Sequence, residues 1–144
     1  MIWLLDVNVL LALVDPQNLH HDRAHGWLAS QADGVNWASC ALTENGFCRL
    51  LSSTAYPGSR PPGEAASALA GLREGLGRHS FWPCDLSFAD GTRFEWNLVQ
   101  GAKQLTDLYL VALAVEHGGR LVTFDQRIRW GAVRGATESV ICVL

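Results

Sequence analysis

The stretch Trp3 to Ala12, "WLLDVNVLLA", decides how the chain is read. Its apolar residues would suit a wholly buried segment, yet a carboxylate, Asp6, stands in the middle and Asn8 follows two positions later. An ionised group left unpaired in such surroundings is costly. The run therefore reads as two elements meeting near Asp6. Ile2 to Leu5 is a buried strand, and Val9 to Val14 is a short helix halted at Asp15-Pro16.

The same alternation continues along the chain. Asp22 to Gln31 reads as a helix, and Val35 to Ala38 as a strand. Ser39 is placed to cap a helix from Ala41 to Leu51, on which Leu42, Phe47, Leu50 and Leu51 form an apolar face. Tyr56 to Glu64, "YPGSRPPGE", is a surface loop, followed by an Ala-rich helix over Glu64 to Leu76 and a short strand over Phe81 to Cys84. Thr106 is placed as the cap of a helix carrying Leu108, Val111, Ala112 and Val115 and ended by Gly118-Gly119. "RLVTFD" is a strand ending at Asp125, and Ser139 to Leu144 is a last strand.

Strands alternating with helices imply one α/β domain over residues 1–144, a mostly parallel central sheet flanked by helices. The length is that of one ordinary domain. The apolar runs fall well short of the roughly 20 residues that span a bilayer, and no leader with a cleavage site is visible, so a cytoplasmic protein without membrane contact is expected. Cys40, Cys48, Cys84 and Cys142 form no C-x-x-C pair and are expected as buried free thiols. The net charge of −3 argues against nucleic-acid binding by bulk electrostatics.

Ligands of parallel sheets bind outside the carboxyl ends of the strands. Asp6 and Asp125 both follow a strand, while Glu44 and Asp107 sit in first turns of helices that begin at the same edge. Taken singly, Asp107 suits a helix dipole, Glu44 a capping box and Asp125 a turn. Together, four carboxylates in apolar contexts, with no adjacent run of Lys or Arg, call for a hard divalent cation, Mg²⁺ or Mn²⁺, with Asn8 as a neutral ligand or a hydrogen-bonding support.

These residues also carry a family likeness. "LLDVNVLLAL", "TENGFCRLL", "HSFWPCDLSF" and "QLTDLYLVALAVEHGGRLVTFD" resemble a PIN-domain ribonuclease, specifically the VapC-type toxins of bacterial toxin–antitoxin pairs, over nearly the whole chain. The resemblance implies a Mg²⁺-dependent endoribonuclease that cuts structured RNA such as tRNA or rRNA and is held inactive by a cognate antitoxin. It places the acidic site on Asp6, Glu44, Asp107 and Asp125, with Asn8 and Thr106 as accessory polar positions.

Given a metal, Asp6 and Asp107 are expected as its main ligands. Glu44 and Asp125 would complete the site directly, through water, or as the base orienting the attacking water. Arg49, Lys103, Arg127, Arg129 and Arg134 are the candidate phosphate contacts, Arg49 equally a structural partner for a carboxylate. Trp82, Trp96 and Trp130 are expected in core or interface rather than as base-stacking platforms. His21 and His25 stand one helical turn apart without an H-E-x-x-H pattern and are expected to face solvent. Leu10, Leu11, Leu13, Trp27 and Leu28 exceed what a small sheet needs, which points to a homodimer face or an antitoxin groove. A haloacid-dehalogenase-type phosphatase would want a second Asp where Asn8 stands. The alternative reading is a non-catalytic PIN-like module that binds RNA or protein.

Overall fold

The apolar run does break at Asp6. In the computed structural model, which describes residues 1–144, Trp3–Leu5 is strand β1 and Val7–Val14 is helix α1, with Asp6 as its N-cap. The order continues as α2 (His21–Ala29), β2 (Asn36–Cys40), α3 (Ala41–Leu51), α4 (Pro62–Gly75), β3 (Arg78–Trp82), α5 (Leu105–Glu116), β4 (Arg120–Thr123) and β5 (Ile141–Val143). The five strands pair in the order β3-β2-β1-β4-β5, and every ladder is parallel.

Both faces of the sheet are covered. Leu4, Ala38 and Leu121 belong to one apolar cluster with α5, while their neighbours Leu5, Trp37 and Val122 belong to another with α1 to α4. Alternate residues of each strand thus enter different cores, which is why the strands read as continuous apolar runs. Leu10, Leu11 and Leu13, expected on a partner surface, are buried in the second cluster. The helices on that face consume the apolar surplus that α1 carries.

The order of strands reverses direction between β1 and β4: the chain proceeds outward through β2 and β3 on one side and through β4 and β5 on the other. Such a switch point leaves a crevice at the strands' carboxyl ends. Asp6 follows β1, Asp125 follows β4 by one intervening residue, and α5 starts at the same edge with Asp107 in its first turn.

Three local expectations are corrected. Ser39 belongs to β2, and Cys40 is the N-cap of α3, its N–H donating to Thr43 Oγ1 at 3.0 Å. Thr106 lies within α5, whose N-cap is Gln104, because a short 3₁₀ turn over Ala102–Gln104 feeds the helix two residues earlier. Strand β3 begins at Arg78 rather than Phe81; as an edge strand it buries only Trp82 fully and so lacks the apolar pattern that would announce it. Gly77 makes its entry possible, with φ +53° and Val35 O accepting from Arg78 N at 2.9 Å.

Candidate active site

The carboxylate in the apolar run is held by three donors. Asp6 Oδ1 accepts from Val7 N at 2.7 Å, and Oδ2 accepts from Thr123 Oγ1 at 2.6 Å and Asn8 Nδ2 at 3.2 Å. Its backbone N–H donates to Val122 O at 3.0 Å, which fixes the residue to the end of β4. Burial still pushes the Asp6 carboxyl above its ordinary value, against the hydrogen bonds from Thr123 and Val7 and with added repulsion from Asp125.

Asn8 and Thr123 join the two strand ends. Asn8 Nδ2 also donates to Thr123 Oγ1 at 3.2 Å, and Asn8 Oδ1 accepts from Phe124 N at 3.3 Å. Thr123 Oγ1 accepts from Asp125 N at 3.0 Å. Thr123→Val keeps the shape and removes this hydroxyl from a fully buried position. It should lower stability by about 1–3 kcal/mol in denaturant unfolding, whereas Thr123→Ser should stay close to wild type. Equal stability of the Val and Ser variants would mean that Asp6 does not depend on Thr123.

Asp125 is bound to its own loop. Its Oδ1 accepts from Arg127 N at 2.8 Å and Arg127 Nε at 3.2 Å, and these contacts hold its carboxyl below the usual range despite partial desolvation. Asp107 differs from both: half-buried, it accepts no hydrogen bond and forms no ion pair. Burial first, then the charges of Asp6 and Asp125, raise its pKa from 3.8 to about 6, opposed only by Arg127. Three aspartates thus share one electrostatic environment at the switch point.

Glu44 stands in a different group. Its Oε1 accepts from Ser39 Oγ at 2.6 Å and faces Arg73 Nη1 at 3.7 Å. Since the Ser39 proton goes to Glu44, the His79 Nε2 atom, 2.8 Å from the same hydroxyl, is the donor to Ser39. Burial, then Arg73, lowers the His79 pKa, while Glu44 opposes the shift. Neither Asp6 nor Asp107 feels Glu44. No three His, Cys, Asp or Glu side chains are grouped to hold a metal ion.

A groove of about 470 Å³ runs beside the aspartates, lined by Asn8, His20, Phe124, Asp125, Gln126 and Arg127. The His20 ring stacks on Phe124 at 4.3 Å, and the Arg23 guanidinium lies 5.6 Å from the Phe124 centroid. Sequence reading missed His20, Arg23, Phe124, Thr123, Ser39, Arg73 and His79. Of these, Thr123, Phe124 and His79 lay within the quoted motifs and Ser39 was read as a helix cap, whereas His20, Arg23 and Arg73 come from elements far away along the chain.

The remaining candidates are placed as follows. Arg127 is 90% exposed at the groove, while Arg49, Lys103 and Arg129 are exposed without an ion pair. Arg134 pairs with Glu95 at 2.7 Å. Trp82 is buried and stacked on His117, Trp130 packs against the core, and Trp96 is exposed beside Phe88 and Phe94. All four cysteines are free thiols, but only Cys40 is fully buried. His21 and His25, expected to face solvent, each bond one ring nitrogen to a backbone carbonyl of α1, and His25 remains exposed. No helix is long and apolar enough to cross a membrane.

Comparison with known proteins bears on this geometry. The family profile described as the PIN domain matches residues 3–132. Ribonuclease VapC44 of Mycobacterium tuberculosis is 45% identical over 141 residues, covering 98% of each chain. Ribonuclease VapC39 of the same species is 38% identical over 136 residues, 94% of this chain and 96% of that one. Two solved structures share the fold at low identity. VapBC2 from Rickettsia felis, bound to a promoter DNA fragment, aligns with a TM-score of 0.65 at 16% identity over 100% of this chain and 99% of that one. Mycobacterium tuberculosis VapC20, described as a Sarcin-Ricin loop cleaving toxin, aligns with a TM-score of 0.60 at 14% identity, covering 93% of this chain and 98% of that one.

Proposed function

The chain belongs to the PIN-domain family, with ribonucleases of the VapC type among its relatives, and on that premise we propose that it is a Mg²⁺-dependent endoribonuclease, the toxin of a toxin–antitoxin pair acting in the cytoplasm. The observation that carries the reading is Asp107: a half-buried carboxylate with no partner, raised to about 6 by burial and by two neighbouring aspartates.

That charge arrangement fits a hard cation. The donors are all oxygen, and nothing but Arg127 offsets the charge around Asp107. Mg²⁺ ordinarily takes one or two carboxylates and keeps several waters, so it does not require three side chains grouped in advance. Asp6 and Asp107 would hold it, with Asp125 directly or through water. When bound, the ion supplies charge stabilisation at the phosphate and a more acidic water.

The chain's own residues do the rest. Thr123 and Asn8 fix the direction of the Asp6 carboxylate and oppose the effect of its burial. Glu44, oriented by Ser39 and facing Arg73 outside the aspartate group, is proposed to support the site at a distance through water. Arg127 at the groove contacts substrate phosphate, which lets a protein of net charge −3 take up RNA, with structured RNA such as tRNA or rRNA as the proposed class. A cognate antitoxin and a second copy of the chain are the proposed protein partners; Leu42, Leu50 and Phe81 are the exposed apolar residues left for them on α3 and β3.

Cleavage of total cellular RNA by the purified chain, with Mg²⁺ or Mn²⁺ and with EDTA, tests the reading. Fragments should form only with metal and should vanish in Asp6→Ala. Intact RNA after incubation with folded, metal-supplied protein would leave a binding module without nuclease activity.

A further inference from the structure

Helix α1 ends without a basic residue in its last turn, and its terminal carbonyls are met instead by two histidines of α2. His21 Nδ1 lies 2.8 Å from Ala12 O, and His25 Nε2 lies 3.0 Å from Leu13 O. A carbonyl oxygen only accepts, so both ring atoms carry hydrogen, and in the neutral rings the other nitrogen of each holds a lone pair. Those two atoms, His21 Nε2 and His25 Nδ1, have no protein partner. The two nitrogens of an imidazole face opposite sides of the ring. Aiming both N–H groups at adjacent carbonyls of α1 therefore turns both lone pairs away from that helix.

The rings are also close together. One turn apart on α2, they sit with centroids 4.3 Å apart and planes at 48°. A site with only two protein nitrogens that fills its other positions with water suits the square or octahedral preference of Cu²⁺ and Ni²⁺ rather than a closed tetrahedral Zn²⁺ centre.

We propose that His21 and His25 form a two-nitrogen site for a borderline transition cation, Ni²⁺ or Cu²⁺, separate from the carboxylates at the switch point. Metal-bound histidines characteristically donate their second ring nitrogen to a carboxylate or a backbone carbonyl, and here both do so. Capping α1 would use one nitrogen of each ring and leaves the paired lone pairs without a purpose. Water completes the ion's coordination. A bound ion would fasten α2 to the end of α1.

Calorimetric titration of Ni²⁺ into the full chain carrying Asp6→Asn and Asp107→Asn, which removes the carboxylate site as a competing sink, tests this. One ion per chain should bind, and His21→Gln and His25→Gln should each weaken binding roughly tenfold or more. His25 is exposed, so its variant can be compared in a folded protein even where His21→Gln unfolds. Electron paramagnetic resonance of the wild-type Cu²⁺ complex should report two imidazole nitrogens. No Ni²⁺ heat from the chain with both histidines, unchanged binding once both are replaced, or a Cu²⁺ spectrum without two nitrogens would overturn the site and leave the rings as caps alone.

Discussion

Asp107→Asn should abolish RNA cleavage while making the metal-free protein more stable. The activity loss follows from the proposed role: Lewis-acid stabilisation of a phosphoryl transition state is worth several kcal/mol, and each ~1.4 kcal/mol is tenfold, so a drop of about a hundredfold or more is expected. The stability gain follows from the sign of the pKa shift. The carboxyl titrates at about 6 when folded, against an ordinary value of 3.8. Between those values the folded state holds the proton more tightly, so the group's favourable contribution is complete below 3.8 and is lost as pH rises through 6. Above that, ionised Asp107 works against folding.

A two-unit shift corresponds to about 3 kcal/mol, which solvent screening at a half-exposed site reduces to about 1 kcal/mol. The neutral, isosteric Asn should therefore raise the melting temperature of the EDTA-treated protein by about 3 °C at pH 7.5, and by less at pH 4.5. Saturating Mg²⁺ should reverse the order, stabilising wild type and not the variant. A variant less stable than wild type at pH 7.5 without metal would mean that the aspartates do not repel one another, and the cation argument would lose its footing.

Gly77→Ala is the substitution expected to damage the fold most. Gly77 sits at φ +53°, and a Cβ there would stand 2.1 Å from Val35 O, a backbone atom that cannot swing aside. The same carbonyl accepts from Arg78 N, and Trp37 Nε1 donates to Leu76 O at 2.6 Å next door, so relief of the clash breaks the entry to β3. A left-handed backbone costs an alanine ~1 kcal/mol, and the displaced ladder brings the expected total to about 3 kcal/mol or more. Calorimetry should find melting lowered by about 10 °C, and amide exchange should find β3 unprotected. A loss of less than about 2 °C would mean that the turn has another accessible conformation.

What the sequence disclosed and what it withheld divide along physical lines. Strong apolar periodicity identified β1, α1, α5 and β4, and these elements carry Asp6, Asp107 and Asp125 to one sheet edge. The edge strand β3 has no such pattern, and its true start depends on one glycine's backbone. Ser39 looked like a cap because serine commonly is one; its hydroxyl instead bridges Glu44 and His79. Nothing local to Glu44 announces Arg73, and nothing local to His20 announces Phe124. Side-chain partners of that kind arise when α4 or α2 docks on the sheet, so they become visible only with the fold. The surplus of leucines in α1 was legible, but its destination, a second core under α2 to α4, was not.

The hydrogen bond from Thr123 to Asp6 spans 117 positions, and it has a meaning for how this protein is made. Strand β1 lies mid-sheet, and one of its two neighbours is β4, which follows it only after β2 and β3. During translation β1, β2 and β3 can gather early, but the crevice between β1 and β4 has only one wall until the segment carrying Thr123 and Asp125 has emerged. On the proposed function, the aspartate site would therefore stay incomplete until that late segment had joined the sheet.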